Sequence, residues 1–399
     1  MKVLQLCNKP PYPPVDGGTM AMDSITQGLL RAGCEVKVLT VETDKHPARM
    51  DQLPADYREK TAFEAVYIDL SVKALPAAVA MLCGESYHVK RYVNRRFAER
   101  LTAVLRKEQF DVVHVESIFL TPYVPIIRKY SQAKVILRAH NVEHLIWKRV
   151  AQSTRQYFKR WYLNHLSLTL RAYELEHLQD YDGVVCITQG DADYFRQNGC
   201  RRPLTVIPFG VDLPEPSVPT EYTEPSLYHL GAMDWMPNQE SIAWLLDDVW
   251  PVVHHEVPQA HLYLAGRKMP EALMQRVIEG VTIVGEVPDA RQFIADKQIN
   301  VVPLLSGSGI RVKIIEAMAA GKAVVTTTVG ARGIDYTEDE NLLIANTPTE
   351  FARQIKRLVD NPDYCRQVGM AAARLVAERY DVGRLTERLL QFYNERIEE

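Results

Sequence analysis

The chain has 399 residues, of which 47% are hydrophobic and 24% are charged, and its formal net charge is -3 at pH 7. This length exceeds one ordinary hydrophobic core and predicts two domains of roughly 150 to 200 residues. The apolar content excludes an intrinsically disordered chain. The slightly negative charge excludes a globally basic nucleic-acid-binding protein, so no nucleic-acid partner is expected.

Cysteine spacing and the hydropathy pattern predict the compartment. The six cysteines are scattered without a Cys-x-x-Cys pair, which predicts reduced thiols. The N-terminus passes from Lys2 directly into a strand-like run, without the apolar segment of a signal peptide. The longest weakly apolar stretch, 74–84, is too short to span a bilayer. A cytoplasmic protein is expected.

Strands alternate with helices through the first half of the chain. A strand over 3–7, a loop rich in proline and glycine over 8–18, a helix over 19–30 and a strand over 35–41 predict a βαβ opening. The following predicted elements are strand 63–70, helix 87–107, strand 111–115, helix 123–129, strand 134–139, helical region 147–173, and strands 183–188 and 204–208. This alternation predicts a parallel sheet covered on both faces, which binds ligands beyond the carboxyl ends of its strands.

Two helical segments of this half are rich in cations. Residues 87–107 are basic and amphipathic, and residues 147–171 combine basic with aromatic side chains. One interpretation is peripheral contact with an anionic membrane through both segments, at its inner face. The other is a solvated basic face over a packed aromatic stripe.

The segment after strand 134–139 carries His140, Glu143 and His144, which match the His-x-x-Glu-His motif of one zinc-peptidase class. That motif needs both histidines on one face of a helix, whereas His140 directly follows a strand and the helix is expected to begin near Glu143. A zinc hydrolase is therefore the weakest alternative. His140 is either a hydrogen-bonded histidine at a strand end or a donor into a ligand site, and its place at the carboxyl end of a strand favours the second.

A proline-rich stretch, 212–225, separates this half from a second alternating half. The predicted elements there are strand 227–230, helix 238–249, strands 261–265, 282–284, 301–305 and 323–327, and a mainly helical tail over 349–397.

Within the second half, the pattern of residues 300–327 predicts a strand, a Gly/Ser turn and a helix beginning at Arg311. Such a helix start binds anions through backbone N–H groups and the helix dipole. Arg311 and Lys313 lie in the first turn, where cations are unfavourable unless an anion is bound there. Glu316 is placed to accept from ribose hydroxyls. The alternative is a Lys313–Glu316 pair along the helix, with Arg311 facing solvent.

These features resemble the GT-B glycosyltransferases, and more narrowly retaining family 4, often called group 1, in its Gly-Ser-Gly-x-Arg-x-Lys branch. The segments that carry the resemblance are 16–18, 140–144, 207–212, 230–238, 285–289 and 307–321. The resemblance implies an α/β GT-B fold of two Rossmann-like, doubly wound parallel-sheet domains facing a cleft. The implied boundaries are 1–212 for the acceptor-side domain, 213–225 for the linker, 226–380 for the donor domain and 381–399 for a helix that crosses back to the first domain.

The resemblance also assigns residues to roles. The implied catalytic residues are His140, Arg311, Lys313 and Glu316. The implied donor-binding residues are Gly17, Gly18, Ser308, Gly309, Ile310, Arg311, Lys313 and Glu316, and those on the acceptor side are Asp16 and Glu143. Ser308 stands where the family usually has the first Glu of its Glu-x7-Glu motif. The loop after Gly231 lacks the usual Arg and Lys, for which Arg311 and Lys313 are the expected replacements.

The implied activity is retaining transfer of a sugar from a UDP- or GDP-sugar to a glycan or lipid-linked glycan acceptor. No Asp-x-Asp pair is recognised at a strand end, so a metal-independent enzyme without a cofactor is expected, in which Arg311, Lys313 and the helix dipole stabilise the departing phosphate. Two alternatives remain open. One is a nucleotide-sugar epimerase, and the other, motivated by Ser308, is a non-catalytic nucleotide-sugar-binding protein of a glycan-assembly complex.

Overall fold

The structure is a computed structural model that describes residues 1–213, 225–307 and 311–398. The chain divides into two compact units, Met1–Gly210 with Val382–Glu399, and Val211–Asp381. Residues 214–224, most of the predicted linker, lie outside the described residues, as do Ser308, Gly309 and Ile310.

The first unit alternates strands and helices along the chain. Its elements up to residue 206 are β1 (Lys2–Cys7), α1 (Gly17–Arg31), β2 (Glu35–Glu42), α2 (Ala55–Thr61), β3 (Glu64–Tyr67), α3 (Ala74–Leu82), α4 (Tyr87–Lys90), α5 (Arg95–Lys107), β4 (Val112–Val115), α6 (Val124–Tyr130), β5 (Lys134–Ala139), α7 (Glu143–Ser153), α8 (Tyr157–His177), β6 (Gly183–Cys186), α9 (Gln189–Gln197) and β7 (Leu204–Val206).

The sheet of this unit is parallel and has the order β3-β2-β1-β4-β5-β6-β7 among the described residues. Successive side chains of a strand point to opposite faces. In β1, Leu4 and Leu6 enter the core on one face, while Val3 and Cys7 enter the core on the other. Both faces are therefore buried under helices, and the predicted doubly wound parallel sheet is confirmed.

The second unit repeats this alternation. Its elements are β8 (Ser226–Leu230), α10 (Met236–Trp244), α11 (Trp250–Glu256), β9 (His261–Ala265), α12 (Glu271–Met274), β10 (Val281–Gly285), α13 (Ala290–Ala295), β11 (Ile299–Val302), α14 (Val312–Ala319), β12 (Ala323–Thr326), β13 (Leu343–Ile344), α15 (Pro348–Asp360) and α16 (Pro362–Arg379). Its described strands form a second parallel sheet in the order β10-β9-β8-β11-β12-β13. The short strand β13 has too few residues to show a period and was not predicted.

The last helix, α17 (Val382–Glu398), belongs to the first unit although it follows the second along the chain. Its apolar side chains Leu385, Leu389 and Tyr393 share a core with Met22 and Ile25 of α1. The C-terminal helix therefore covers the same face of the first sheet as α1.

Both predicted basic helices are interrupted. Residues 87–107 form α4 and α5 because Asn94, in an extended conformation, caps α5 and accepts from the backbone N–H of Phe97 at 3.2 Å. Residues 147–173 belong to α7 and α8, with a break between Ser153 and Tyr157. In the described part of the chain, no helix is both long and apolar enough to cross a membrane.

The close packing of α16 holds the end of α14 in place. A Cβ added at Gly369 of α16 would lie 2.0 Å from the carbonyl oxygen of Gly321, which follows α14. Because backbone cannot rotate away, we expect Gly369→Ala to lower the free energy of unfolding by about 1–3 kcal/mol. Gly190→Ala in α9 is the matched control, since a Cβ there would lie 3.9 Å from its nearest neighbour, Thr188 Oγ1. Urea unfolding of both variants tests this; equal stability would contradict the contact.

Candidate active site

Lys313 lies in the first turn of α14, and its ammonium contacts two neutral side chains. It donates to Asn238 Oδ1 at 2.8 Å and lies 3.3 Å from His229 Nε2. His229 Nδ1 donates to the carbonyl of Val301 at 2.8 Å, which leaves Nε2 of the neutral ring as an acceptor. Burial and the charge of Arg311 lower the pKa of Lys313 to about 7. No carboxylate forms an ion pair with Lys313 in the described ranges, so the ammonium has no protein counter-charge there.

Arg311 is the residue that precedes α14, and it is only 4% exposed. Its guanidinium lies over the ring of Trp235, 5.4 Å from the centroid. Gly307 has a φ of +115°, and a Cβ there would lie 3.0 Å from the guanidinium and 3.1 Å from the indole. Glycine is therefore required both for the left-handed backbone and for the close approach. Arg311 does not face solvent, so that part of the alternative interpretation is wrong.

Glu316 lies one turn after Lys313 on α14 and is half-buried. Burial raises the pKa of Glu316, and the charge of Arg291 opposes that shift in part. Glu316 forms no ion pair with Lys313 among the described contacts, so the alternative of a Lys313–Glu316 pair is wrong as well. The other donor-binding residues predicted in this turn, Ser308, Gly309 and Ile310, lie outside the described residues.

Three residues of this site were missed by the sequence analysis: His229, Trp235 and Asn238. They lie in β8, in the loop that follows it, and in the first turn of α10. Because β8 and β11 are neighbours in the sheet, their carboxyl ends bring these residues to the start of α14. The sequence feature that could have identified these three residues is their position around the carboxyl end of a predicted strand.

The first unit holds a buried carboxylate, Glu116, directly after β4. Its oxygens accept from Gln5 Nε2 at 2.7 Å and from His140 Nε2 at 2.9 Å, and His114 Nε2 lies 3.3 Å away. The predicted site residue His140 is thus tied to a carboxylate that the sequence analysis did not nominate. A single glutamate after a strand has no distinguishing pattern.

The charges around Glu116 determine its ionisation. Burial alone would raise its pKa, but His114 and Arg138, with the hydrogen bond from His140, hold the pKa of Glu116 well below its ordinary value. Burial lowers the pKa of His140, although Glu116 opposes that shift. The ring is therefore neutral, with its proton on the nitrogen that donates to Glu116 and with Nδ1 as an acceptor.

The helix α17 contributes to this network. The hydroxyl of Tyr393 lies 2.5 Å from His114 Nδ1, and both side chains are buried. Arg138 of β5 is also buried and donates to the carbonyl of Ala21 at 2.9 Å. The network around Glu116, which accepts from His140, therefore links β4, β5, α1 and α17.

The N-terminal start of α1 is occupied by a side chain of the protein. Asp16 accepts from the backbone N–H groups of Gly18 and Thr19, each at 2.9 Å, and its backbone N–H donates to Thr19 Oγ1. Lys9 Nζ lies 2.7 Å from the same carboxylate. Gly17 and Gly18 are the first two residues of the helix, which therefore begins two residues before the predicted start at residue 19, with Asp16 as its cap.

The His-x-x-Glu-His residues do not form a zinc site. His144 uses both ring nitrogens, with Nδ1 2.5 Å from Glu174 and Nε2 2.8 Å from the Tyr194 hydroxyl. Burial and Glu174 raise the pKa of Glu143 to about 8. Over the described ranges, no group of three or more His, Cys, Asp or Glu side chains could hold a metal ion. The zinc interpretation is therefore wrong.

Two protein-family models match the chain. Residues 224–361 match a model described as "Glycosyl transferases group 1", and residues 15–215 match one described as "Glycosyltransferase Family 4". The second match alone covers just over half of the chain. The chain belongs to glycosyltransferase family 4. This confirms the family that the motifs predicted, and it makes sugar transfer the activity class.

Individual relatives of the glycosyltransferase are distant. A Klebsiella pneumoniae protein described as "Uncharacterized 44.6 kDa protein in cps region" is 22% identical, covering 95% of this chain and 96% of its own. Sucrose-phosphate synthase from Thermosynechococcus elongatus superposes with a TM-score of 0.71 at 17% identity over 99% of both chains. HepE of Anabaena, in complex with UDP, gives 0.67 at 14% identity over 99% of this chain and 100% of its own. These similarities confirm the GT-B fold.

Proposed function

We propose that the chain is a retaining, metal-independent glycosyltransferase that moves a sugar from a nucleoside-diphosphate sugar to a glycan or lipid-linked acceptor. The observation that carries the proposal is the pair of largely buried cations, Arg311 and Lys313, at the start of α14. Structural neighbours support the donor class: HepE structures contain UDP or UDP-glucose, and an S. aureus TarM structure contains UDP and alpha-GlcNAc-glycerol.

The proposed chemistry follows from the charge that develops on the leaving group. Breaking the bond between sugar and diphosphate places negative charge on the departing phosphate, and donors already aimed at that charge lower the barrier. Lys313 is held by Asn238, and Arg311 by the ring of Trp235. Both cations therefore stand in position before the donor binds, next to the positive end of the α14 dipole.

The remaining predicted residues complete the proposal. Glu316 accepts from the ribose, and Ser308, Gly309 or Ile310 contacts the donor sugar. His140 contacts the transferred sugar through Nδ1, because Nε2 donates to Glu116. Asp16 and Glu143 lie on the acceptor side. Contact of Gly17 and Gly18 with the diphosphate would require Asp16 to release the backbone N–H of Gly18.

Product analysis with UDP- and GDP-sugars in the presence of a chelator tests this function. The expected result is release of the nucleoside diphosphate that depends on an acceptor, with a glycoside that keeps the anomeric configuration of the donor. Conversion of the donor to another nucleotide sugar without acceptor would identify an epimerase. Donor binding without transfer or hydrolysis would identify a non-catalytic binder. Activity lost in chelator and restored by a divalent cation would contradict metal independence.

The low pKa of Lys313 predicts a pH dependence of diphosphate binding. A bound diphosphate favours the protonated amine, so binding takes up a proton once the pH exceeds the free-state pKa of about 7. Affinity should therefore fall about tenfold between about pH 8 and about pH 9, where the phosphates are already ionised. Titration calorimetry measures it, and the Lys313→Met variant is the control that should lose this slope. The same slope in both proteins would contradict the assignment.

A further inference from the structure

A long segment of the first unit contains cations but no acidic residue. From Leu145 to Tyr173, across α7 and most of α8, there is no aspartate or glutamate. The cations in this segment are Lys148, Arg149, Arg155, Lys159, Arg160 and Arg171. A chain with a net charge of -3 thus concentrates positive charge on one pair of neighbouring helices.

The start of α8 exposes both charge and aromatic surface. Lys159, Arg160 and Arg155 are exposed, and none of them forms an ion pair with another described residue. Tyr157 is 68% exposed, Phe158 84% and Trp161 55%. The α8 face is defined here as the exposed surface of these six residues, which are Arg155 before the helix and the first five residues of α8. Phe158 contributes nothing to the core, so its apolar surface is available to a partner.

The helix α3 adds an aliphatic stripe to the same region. Leu75, Val79 and Leu82 recur at helical spacing and are all exposed. On its buried side, Ala77 and Ala80 share a small core with residues of α7 and α8, including Leu163 and Leu166. Residues 71–84 also lack acidic side chains.

We propose that the α8 face and the exposed stripe of α3 dock on an anionic lipid bilayer. Aromatic side chains favour the membrane interface, and cations beside them bind anionic headgroups. The charge complementarity selects a lipid surface with net negative charge over a zwitterionic one. The helices lie at the interface and do not span it, in keeping with a basic, aromatic amphipathic surface.

The other predicted membrane segment, 87–107, lacks these features. In α5, Arg95 pairs with Glu99, and Arg100 pairs with Glu64 of β3. The apolar side chains of α5, including Phe97 and Leu101, are buried in the core. Two of the five cations of α5 are thus paired with carboxylates, and its large apolar side chains are buried, so we place the docking surface on α3 and α8 instead.

The docking surface belongs to the same unit as His140. The helix α7 begins three residues after His140, and its eleven residues span about 16 Å before the turn into α8. Resting on the proposed function, this arrangement suits an acceptor held by a lipid anchor. Membrane binding itself is independent of the sugar transferred.

Vesicle sedimentation of the full chain tests the proposal. Phosphatidylglycerol vesicles should bind the protein, and phosphatidylcholine vesicles should not. Lys159→Gln with Arg160→Gln should weaken binding roughly 30-fold, which corresponds to about 1 kcal/mol for each charge. Phe158→Ser with Trp161→Ser should weaken binding as well, with the charge unchanged. The matched control, Arg95→Gln with Arg96→Gln, removes two cations from α5 and should change binding less than threefold.

Three results would overturn the proposal. The first is equal binding of the protein to both lipids, and the second is equal weakening of binding by the α5 control variant. The third is self-association in analytical ultracentrifugation that the α8 variants abolish, which would show that a second copy of the chain covers this surface. Measuring sugar transfer to a water-soluble acceptor distinguishes a failure of membrane docking from a failure of the proposed function. The α8 variants should keep that activity, so a failure of vesicle binding would leave the enzyme assignment intact.

Discussion

Replacing Arg311 by alanine should reduce turnover at saturating donor by roughly 100- to 1000-fold, the size expected when one donor to a developing oxyanion is removed. Arg311 is almost fully buried and its guanidinium is held against the ring of Trp235, so truncation removes a charge that is fixed in position. Rate measurements with the donor identified by product analysis test this.

Two further variants make the result specific. Arg311→Lys keeps the charge but loses the planar stacking and the bidentate geometry, so it should recover only part of the activity. Arg366→Ala on α16 removes an exposed arginine from the same unit and should leave turnover unchanged. Near-normal turnover in Arg311→Ala would contradict the proposal that Arg311 stabilises the leaving phosphate.

Replacing Glu116 by glutamine should lower the free energy of unfolding of the first unit by about 3–5 kcal/mol, because it removes the charge that balances buried Arg138. The carboxylate is fully buried and serves Gln5, His114 and His140 together. Urea unfolding with amide exchange resolved for each unit measures the loss.

The effect of Glu116 should depend on pH with a defined sign. The pKa of this carboxyl is lowered in the folded state from an ordinary value of 4.5. Its stabilisation is therefore complete above about pH 4.5 and is lost as the pH falls through the folded-state pKa. The stability difference between wild type and Glu116→Gln should narrow in acid.

Glu108→Gln is the matched control for this prediction. Glu108 is partly exposed and contacts Lys2 at 3.0 Å and Lys37 at 3.5 Å. Lys37 keeps a second partner in Glu64 at 2.9 Å, so the loss of Glu108 should cost only about 0–1 kcal/mol. If Glu116→Gln destabilised the protein no more than Glu108→Gln, the buried network would not support the position of His140.

The fold was predictable because its signals are local. Continuous apolar runs such as 111–115 mark buried parallel strands, and their alternation with helices determines the sheet class. Helix ends were less predictable, since the break before α5 depends on a single cap, Asn94. The helical spacing of apolar side chains continues through such a cap, so that spacing alone does not reveal the break.

The candidate site was predictable only in part, for a physical reason. Arg311 and Lys313 stand out because cations at a helix start are unfavourable without an anion. Their partners His229 and Asn238 are distant in sequence, and only the pairing of β8 with β11 brings them together. The partner of His140, Glu116, is likewise supplied by the neighbouring strand β4.

The central claim is that the start of α14 binds a nucleoside diphosphate, and titration of UDP and of GDP into the wild-type chain in chelator tests it most directly. We predict that one of the two diphosphates binds with a stoichiometry of one, and that Arg311→Ala weakens that binding by about 2 kcal/mol or more. If neither diphosphate binds, or if the variant binds as tightly as the wild type, the claim is contradicted.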